Sequence, residues 1–363
     1  MKLAFFISSM TLGGAQRVAA TLLNEWARRG IQIDLYTFDK KAESFFSLHE
    51  SIRVIALDLF SASASKWESI SNCIRRSSRI RQVLKESRPD LVVSFMSNMN
   101  YLVTAAATGL DLPVVVSERT DPVASGEGIQ GTMLRWIFYP NASRVIVQNQ
   151  RIHEYMPPVV RARSCVISNP VIVPASEKNG SSGALRVLGL GRLSEEKGYD
   201  LLMRAFAGVN CSNALLRIVG DGPERARLEA LRSELGFGTR VELPGATSTP
   251  SEELLSASVF VLSSRFEGSP NALLEAMACG VACVSFDCRT GPRELIRHGE
   301  NGLLVPPGDV EGLTRAIQQV VDDASLRELL GRNARKSVMK YSLPNVLKQL
   351  DRVFEECGCV VDR

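Results

Sequence analysis

The sequence predicts an α/β protein with two doubly wound, parallel-sheet (Rossmann-like) domains that face a central cleft. Three observations predict this class. Short, continuous apolar segments alternate with helix-like segments, as in βαβ units whose sheet is covered on both faces. The alternation stops near residue 180 and then restarts. The chain has 363 residues, which is about twice the length of a typical domain.

The first half of the chain carries six predicted strands. They lie at residues 2–8, 31–38, 52–57, 91–97, 114–118 and 144–148. Between the first two, Val18, Leu22 and Trp26 recur at helical spacing, and Gly30 predicts the end of that helix. Residues 171–184 are rich in glycine and serine and predict a linker.

The same pattern is repeated after the linker. Predicted strands lie at residues 185–190, 214–219, 259–263, 282–286 and 303–305, and predicted helices at 199–209, 225–235 and 271–279, from 310, from 326 and at 343–355. In such sheets, ligands bind outside the carboxyl ends of strands, where the strand order reverses. Functional residues are therefore expected in the loops that follow these strands.

Composition excludes several classes of protein. With 45% hydrophobic and 23% charged residues, the chain is not intrinsically disordered. Its apolar runs are too short for a transmembrane helix or the core of a signal peptide, so no secretion is expected. The eight cysteines form no C-x-x-C pair and the three histidines no H-E-x-x-H motif, which argues against a zinc site or a disulfide framework.

The net charge of +4 is unevenly distributed. Residues 1–175 carry 20 Lys and Arg against 14 Asp and Glu, a net +6, and the remainder carries 23 against 25, a net −2. Neither half has the dense basic stripe of a protein that binds duplex nucleic acid. A basic first half suits a phosphate-bearing partner or an anionic membrane surface.

A glycine turn follows the first predicted strand. Gly13 and Gly14 lie where the first helix begins, and the amides of a helix N-terminus form an anion site. An ordinary tight turn between a strand and a helix is the alternative interpretation. The turn is not a dinucleotide-binding loop, because the pattern G-x-G-x-x-G is absent from it.

Two further loops carry charges at the carboxyl ends of predicted strands. In the first, Arg192 and Lys197 could converge on one anion, since arginine offers a planar fork and lysine a point charge. In the second, Glu267 and Glu275 flank Pro270, which suits the first turn of a helix. Both carboxylates can then face one cleft and accept hydrogen bonds from vicinal hydroxyls. A solvated loop and two surface glutamates are the alternative interpretation.

These motifs together resemble the family 4 glycosyltransferases. The glycine turn, G-R-L-x-x-x-K-G at 191–198, G-D-G-P at 220–223 and E-G-x-P-x-x-x-x-E at 267–275 match the pattern of these retaining, nucleotide-sugar-dependent enzymes of the GT-B fold. The resemblance extends over essentially the whole chain and is strongest in residues 185–310. The first half, with S-E-R at 117–119, is most similar to bacterial enzymes that build lipid-linked oligosaccharides, O-antigen units or exopolysaccharides.

The resemblance implies that the two domains bind different substrates. Residues 1–170 would bind the acceptor and residues 171–342 the nucleotide sugar, with a C-terminal helix at about 343–360 packing on the first domain. The implied reaction moves a hexose or N-acetylhexosamine from a nucleotide sugar, UDP-linked in preference to GDP-linked, to a polyprenyl-diphosphate-linked saccharide and forms an α-glycosidic bond. The nucleotide sugar is a co-substrate, and no separate cofactor and no nucleic-acid partner are expected.

Site residues carry over from the family by position. Arg192 and Lys197 would bind the donor diphosphate and stabilise the leaving group, and Glu267 would contact the sugar hydroxyls. The donor-binding set comprises Gly13, Gly14, Asp221, Gly222, Leu243, Gly245, Ser269, Pro270, Asn271, Ala272, Leu273, Leu274 and Glu275. In that set, Glu275 would hold the ribose, the backbone of residues 271–274 the distal phosphate, and the segment around Leu243 and Gly245 the base.

One position departs from the family pattern. Many members have a histidine after the strand predicted at 114–118, where this sequence has Arg119. A histidine can hydrogen-bond to the sugar, whereas an arginine stays cationic. Arg119 is therefore expected to contact phosphate, which leaves its predicted catalytic role open. The motif D-x-D is absent, so no essential metal is expected and Arg192 and Lys197 would neutralise the diphosphate.

A basic segment at residues 66–85 predicts a helix that contacts a membrane or a lipid diphosphate. At about 100° per residue, six apolar residues fall on one broad arc: Trp67, Ile70, Cys73, Ile74, Ile80 and Leu84. The opposite face carries three arginines, Arg75, Arg76 and Arg79. Basic helices of this kind bind anionic headgroups, and similar lipid-linked-glycan transferases use such a helix for the acceptor pyrophosphate. The alternative interpretation of this segment is an ordinary surface helix packed on the domain. The predicted location of the protein is the cytoplasm, peripheral on the inner face of the cell membrane.

Three functions remain open at this point. The first is the glycosyltransferase with a lipid-linked acceptor, which the basic helix favours. The second is a retaining transferase with a soluble sugar-phosphate or inositol-phosphate acceptor. The third is a catalytically inactive scaffold that binds nucleotide sugars, against which the intact Arg192, Lys197, Glu267 and Glu275 argue. A nucleotide-sugar 2-epimerase shares the fold but lacks this set of motifs.

Overall fold

A computed structural model describes residues 1–11, 13–60, 66–119, 128–175 and 184–360, with side chains described from residue 71 onward in the helix that begins at Lys66. Leu12 of the glycine turn, the side chains of Trp67 and Ile70, and residues 176–183 of the predicted linker lie outside the described residues. The chain divides into two compact units. The first comprises Met1–Pro170 and Pro344–Arg363, and the second comprises Val171–Leu343.

The described part of the first unit contains one parallel sheet of seven strands in the order β3-β2-β1-β4-β5-β6-β7. The strands are β1 (Lys2–Phe6), β2 (Gln32–Thr37), β3 (Arg53–Ala56), β4 (Leu91–Phe95), β5 (Val114–Ser117), β6 (Arg144–Val147) and β7 (Ser164–Val166). The helices between them are α1 (Gly14–Arg28), α2 (Lys66–Ser87), α3 (Ser97–Ala107), α4 (Gly128–Phe138), α5 (Gln150–Tyr155) and α6 (Pro158–Arg161), and a 3₁₀ turn covers Tyr139–Asn141. The strand order reverses between β1 and β4, which pair in parallel.

Within its described residues, the second unit contains a parallel sheet of six strands in the order β10-β9-β8-β11-β12-β13. The strands are β8 (Leu185–Leu190), β9 (Ala214–Val219), β10 (Val241–Gly245), β11 (Val259–Leu262), β12 (Ala282–Phe286) and β13 (Leu303–Val305). The helices are α7 (Tyr199–Ala207), α8 (Arg225–Glu234), α9 (Pro250–Ser256), α10 (Asn271–Ala278), α11 (Pro292–Leu295), α12 (Val310–Asp322) and α13 (Ala324–Val338), with 3₁₀ turns at Glu195–Lys197, Gly238–Arg240 and Met339–Tyr341. The order reverses between β8 and β11.

The central strands of both sheets are buried because helices cover both faces. β4, β11 and β12 are buried along their whole length, as expected of the near-continuous apolar runs of a parallel sheet. The predicted α/β class with two parallel-sheet units is therefore confirmed. In the second unit, the predicted bounds of β8, β9, β12 and β13 match the observed ones.

The last helix, α14 (Leu343–Glu356), packs into the first unit. The ring of its Phe354 lies 5.3 Å from the ring of Trp26 in α1, and Asp351 accepts a 3.0 Å hydrogen bond from Arg29. Beyond the helix, Cys359 donates to the main-chain oxygen of Asp90. The first unit is therefore assembled from the two ends of the chain.

Candidate active site

The second sheet reverses its strand order between β8 and β11, and the loops that follow these strands begin side by side at the carboxyl edge. This reversal is where open α/β sheets bind ligands. The loop after β8 holds Arg192 and Lys197, and the loop after β11 holds Glu267. The predicted charged residues thus lie at the position in this unit where the topology favours a binding site.

Main-chain contacts hold these two loops against each other. Gly198 has a φ of 62°, and a Cβ at this position would collide with the main-chain oxygen of Ser263. The hydroxyl of Ser263 donates to the main-chain oxygen of Lys197 at 2.9 Å, and the Arg265 amide donates to the main-chain oxygen of Glu196 at 2.8 Å. Only glycine allows the backbones to approach this closely, so Gly198 fixes the position of Lys197 relative to the second loop.

The structure brings Lys197 and Glu267 into direct contact. The Lys197 ammonium donates to Glu267 Oε1 at 2.8 Å, and the Ser264 hydroxyl donates to the same oxygen at 2.6 Å. Glu267 is only 7% exposed, and its main-chain oxygen accepts a hydrogen bond from Thr290. This carboxylate is therefore held in one orientation by a cation and a hydroxyl.

The surroundings of Glu267 keep neighbouring acidic groups neutral. Burial, reinforced by the Glu267 carboxylate, raises the pKa of the Cys288 thiol to about 12. The same two causes raise the pKa of the Tyr199 phenol well above its usual range. At neutral pH the Cys288 thiol and the Tyr199 phenol both remain protonated, so neither is a nucleophile in this state.

The loop that carries Arg192 is anchored by the buried residue that follows it. The next residue, Leu193, is fully buried; its amide donates to the Asp221 main-chain oxygen at 2.9 Å and its oxygen accepts from the Glu224 amide at 3.0 Å. Arg192 itself is exposed, and its guanidinium forms no hydrogen bond or ion pair with the part of the chain that the structure describes. Its charge is therefore free to bind an anion from solution.

Arg225 links the Gly-Asp-Gly turn to the segment predicted to lie near the nucleotide base. Its guanidinium donates to Asp221 Oδ1 at 3.0 Å and to the main-chain oxygen of Leu243 at 3.3 Å. The Gly220 amide donates to the Gly245 oxygen at 2.8 Å, which joins the ends of β9 and β10. The hydrogen bond from Arg225 lowers the pKa of Asp221.

Arg225 was not predicted as a site residue. The signal that could have identified it is its position four residues after Asp221, at the start of a helix, because residues at this spacing lie on one helical face. Gly222, also in the predicted set, has no room for a side chain, because a Cβ would collide with the backbone of Leu193.

The loop after β11 leads directly into α10, which begins at Asn271 after Pro270. The Leu274 amide donates to the Pro270 oxygen at 3.0 Å, and the first-turn amides of any helix lack intrahelical acceptors. Leu273 and Leu274 are buried core side chains, so only their backbone could serve a ligand. Ser269, Asn271, Ala272 and Glu275 are half-buried.

In the first unit, the glycine turn lies where it was predicted. Gly13 precedes α1, and its main-chain oxygen accepts from the Arg17 amide at 3.0 Å. The backbone of Gly13 is extended, with a φ of −178°, a conformation open to any residue. Its conformation therefore does not require glycine. Gly14 is the exposed first residue of α1, at the reversal point of this sheet.

Arg119 follows β5 at the carboxyl edge of the same sheet. Its guanidinium stacks 3.8 Å from the ring centre of Phe95 and donates to the side-chain oxygen of Asn169. Its Nε atom is buried and has no hydrogen-bond partner among the described residues. Burial lowers the pKa of this guanidinium to about 9. It remains a cation at pH 7, and its partners named here are neutral.

The residue before it, Glu118, belongs to a buried network that was not predicted. Its two carboxylate oxygens accept from Ser97 at 2.6 Å, from Arg135 of α4 at 3.0 Å and from Tyr139 at 2.8 Å. Glu118 and Tyr139 are fully buried and Arg135 is 2% exposed. This network fixes α4 to the end of β5, next to Arg119.

The predicted polarity of the basic helix is only partly correct. Ile80 and Leu84 of α2 are buried as expected, but Ile74 is 62% exposed and Cys73 is also exposed. The buried face instead comprises Asn72, Ile80, Val83 and Leu84. At about 100° per residue, this face is rotated away from Ile74.

The three arginines of α2 are not equivalent. Arg75 and Arg79 are exposed. Arg76 is half-buried, donates to the main-chain oxygen of Leu59 at 3.0 Å and lies 5.6 Å from the ring centre of Phe38. Arg76 is therefore occupied in packing α2 against the segment that follows β3.

Two family models match consecutive parts of the chain. The model described as "Glycosyl transferase 4-like domain" matches residues 13–170, and the model described as "Glycosyl transferases group 1" matches residues 175–337. The chain is a family 4-like glycosyltransferase. The predicted family is thereby confirmed, and the two matches divide the transferase close to the division between its compact units.

Relatives of this glycosyltransferase act in surface glycan synthesis according to their names. It is 26% identical over 365 residues (98% of this chain, 99% of the relative) to a Campylobacter jejuni alpha-1,4-N-acetyl-D-galactosaminyltransferase named for a diNAcBac-PP-undecaprenol-linked saccharide. It is 31% identical over 324 residues to an exopolysaccharide phosphotransferase of Streptomyces coelicolor, covering 88% of this chain but only 30% of that longer protein.

Solved structures show the same fold. Anabaena HepE in complex with UDP-glucose superposes with a TM-score of 0.78 at 18% identity, over 98% of this chain and 99% of that chain. Together with the two parallel sheets, this likeness gives the glycosyltransferase a GT-B fold.

Glu267 and Glu275 of the transferase are expected to differ in the kinetic parameter that they control. The Glu275→Gln variant should mainly raise KM for the donor, because the ribose contact predicted for Glu275 would be similar in the ground and transition states. The Glu267→Gln variant should lower kcat more, because the sugar contact predicted for Glu267 would tighten as the glycosidic bond breaks. Steady-state kinetics on both variants test this, and a change in KM alone for Glu267→Gln would contradict it.

Proposed function

We propose that this glycosyltransferase is a retaining enzyme that moves a hexose or N-acetylhexosamine from a UDP-sugar to a polyprenyl-diphosphate-linked saccharide in the synthesis of a surface glycan, forming an α-glycosidic bond. The observation that carries the proposal is the contact between Lys197 and Glu267 at the strand-order reversal of the second sheet, with the exposed cation of Arg192 on the same loop.

These residues are suited to the breaking of a bond between a sugar and a diphosphate. Negative charge develops on the leaving diphosphate, and fixed cations such as Arg192 and Lys197 stabilise it most when they are already oriented. A bound diphosphate would compete with Glu267 for the Lys197 ammonium. The second oxygen of the Glu267 carboxylate would then be available to accept hydrogen bonds from sugar hydroxyls.

Two kinds of observation support the donor and the acceptor. The structural neighbour HepE is described with UDP-glucose, which favours a uridine nucleotide. The Campylobacter jejuni relative, which aligns with almost the whole chain, is named for an undecaprenol diphosphate acceptor. The first 175 residues carry a net charge of +6. The half-buried cation of Arg119 lies at the carboxyl edge of that unit's sheet, where an anionic acceptor group would offset the cost of removing the guanidinium from water.

We also propose that catalysis needs no divalent cation. Among the described residues, no group of three or more His, Cys, Asp or Glu side chains is placed to hold a metal ion. The diphosphate charge would instead be balanced by Arg192 and Lys197. This part of the proposal rests on the chemistry of the site and requires its own test.

The test is a donor and acceptor screen with the purified protein. We expect transfer from a UDP-sugar to a polyprenyl-diphosphate saccharide, and we expect EDTA to leave most of the activity intact. Activity only with a soluble sugar-phosphate acceptor would contradict the acceptor assignment. Complete loss on chelation, restored by Mg²⁺ or Mn²⁺, would contradict the proposed role of the two cations. Analysis of the anomeric configuration of the product by NMR tests retention.

A further inference from the structure

The helix α4 has the reverse of the polarity expected for a surface helix. Its buried residues are Gly131 and Arg135. At about 100° per residue, the opposite face carries four large apolar side chains: Ile129, Met133, Trp136 and Ile137, which are 81%, 57%, 51% and 58% exposed. A helix in a globular protein normally turns such a face toward the core.

The anchoring of α4 explains this orientation. Arg135 is ion-paired with the buried carboxylate of Glu118, and Tyr101 of α3 donates to the main-chain oxygen of Gly131 at 3.4 Å. These contacts hold the only charged residue of the helix inward, so the apolar face is held outward. Contiguous exposed apolar surfaces of this kind mark sites of interaction.

The surface beside this face is basic. Of the five arginines in residues 128–166, Arg135 is buried and Arg144 is ion-paired with Glu356, whereas Arg161 and Arg163 are exposed. α6 packs against α4 and exposes Val159 and Arg161. Arg161 donates to the main-chain oxygen of Glu154 at 2.5 Å, and Arg163 to that of Pro140 at 3.0 Å. Among the described residues, no carboxylate neutralises Arg161 or Arg163.

This combination matches an anionic lipid surface. Tryptophan and large aliphatic side chains partition into the boundary between headgroups and acyl chains, and arginines beside them bind anionic headgroups. A second copy of the chain fits less well, because a symmetric dimer through α4 would bring two arginine-rich rims together.

We infer that α4 is the surface through which this glycosyltransferase binds an anionic phospholipid bilayer. Ile129, Met133, Trp136 and Ile137 enter the interface, and Arg161 and Arg163 lie at the level of the headgroups. The inference deepens the proposed function, on which it rests for a lipid-linked acceptor. It places the membrane contact on α4 and not on Arg75 and Arg79 of α2. Through Glu118, the same helix is linked to the end of β5, where Arg119 lies.

The first test is co-sedimentation of the full chain with vesicles of phosphatidylglycerol and phosphatidylethanolamine, without donor or acceptor. The double variant Met133→Ser/Ile137→Ser should bind these vesicles at least about tenfold more weakly, because two inserted apolar side chains are lost. A matched control is Leu329→Ser, which removes a side chain that is 45% exposed on α13 of the second unit. Its vesicle binding should equal that of the wild type. Unchanged thermal unfolding would show that both variants are folded.

The second test locates Trp136 in the bilayer. Vesicles with brominated acyl chains should quench part of the tryptophan fluorescence of the wild type. Trp136→Phe should still bind vesicles, since phenylalanine keeps most of the apolar surface, but this quenched component should disappear. Trp26 is 1% exposed and serves as an internal reference.

Several results would overturn the inference. Vesicle binding that survives Met133→Ser/Ile137→Ser but is lost in Arg75→Glu/Arg79→Glu would assign the contact to α2. Absence of vesicle binding, with self-association that the α4 variant abolishes in sedimentation experiments, would assign the face to a second copy. The proposed function fails separately: vesicle binding without any sugar transfer would refute the lipid-linked reaction and leave the membrane surface intact. Transfer to a detergent-solubilised acceptor should survive in the α4 variant.

Discussion

Lys197→Ala is expected to reduce turnover by about 10²–10³-fold at saturating donor, because a fixed charge that stabilises developing negative charge typically contributes that much. Arg192→Ala should have a similar effect on turnover. Steady-state kinetics with each purified variant measure the loss. Near wild-type turnover in both variants would refute the assignment of these two cations to the diphosphate.

Lys197→Ala and Arg192→Ala should differ in their effect on the free energy of unfolding. The exposed Arg192 guanidinium forms no hydrogen bond or ion pair with the described residues, so its removal should leave the free energy of unfolding unchanged. Lys197 is paired with Glu267, which is 7% exposed, so Lys197→Ala leaves a buried carboxylate without its cation and should destabilise the second unit. A matched control is Arg204→Ala on α7, an exposed arginine that follows the same loop. It should retain both turnover and stability.

Arg135→Met is expected to destabilise the first unit by about 3–5 kcal/mol, because removing one partner of a buried ion pair leaves the other charge uncompensated. Arg135 is 2% exposed and Glu118 is fully buried, so water cannot replace the lost interaction. Urea denaturation followed by circular dichroism measures the free energy of unfolding.

Two further variants make this prediction sharper. Arg144→Met removes a surface pair with Glu356, whose side chains are 36% and 55% exposed, and should cost less than about 1 kcal/mol. Adding Glu118→Leu to Arg135→Met should recover part of the lost stability, because it removes the buried negative charge that Arg135 balanced. A loss for Arg135→Met no larger than that for Arg144→Met would show that the buried pair contributes nothing beyond packing.

The parts of the fold that the sequence predicts well are those with a strong local signal. β12 and β13 are apolar runs bounded by turns, and their bounds follow from the sequence alone. β7 and β10 were missed because their local signal is weak: β7 is three residues long and begins with Ser164, and β10 includes Glu242 and Pro244. The order of the strands depends on pairing between distant segments, which periodicity does not encode.

The same distinction applies to the site. The positions of Lys197 and Glu267 at strand ends were predicted, but their direct contact depends on β8 and β11 being neighbours in the sheet. Periodicity also fails for α4, because the rule that an apolar stripe faces the core would bury Trp136 and expose Arg135. The buried carboxylate of Glu118 reverses this preference, and a charge that comes from another element is invisible to the local pattern.

The return of α14 to the first unit sets the order in which a nascent chain can mature. Asp351 lies 322 residues after its partner Arg29, and all of Val171–Leu343 is translated before the helix begins. At about 5–20 residues per second, translation of Val171–Leu343 takes roughly 9–35 s. During that time Trp26 lacks Phe354, the ring that it packs against in the finished protein. The second unit, which is continuous in sequence, can complete its folding first, so translation and maturation of the two units run in opposite order.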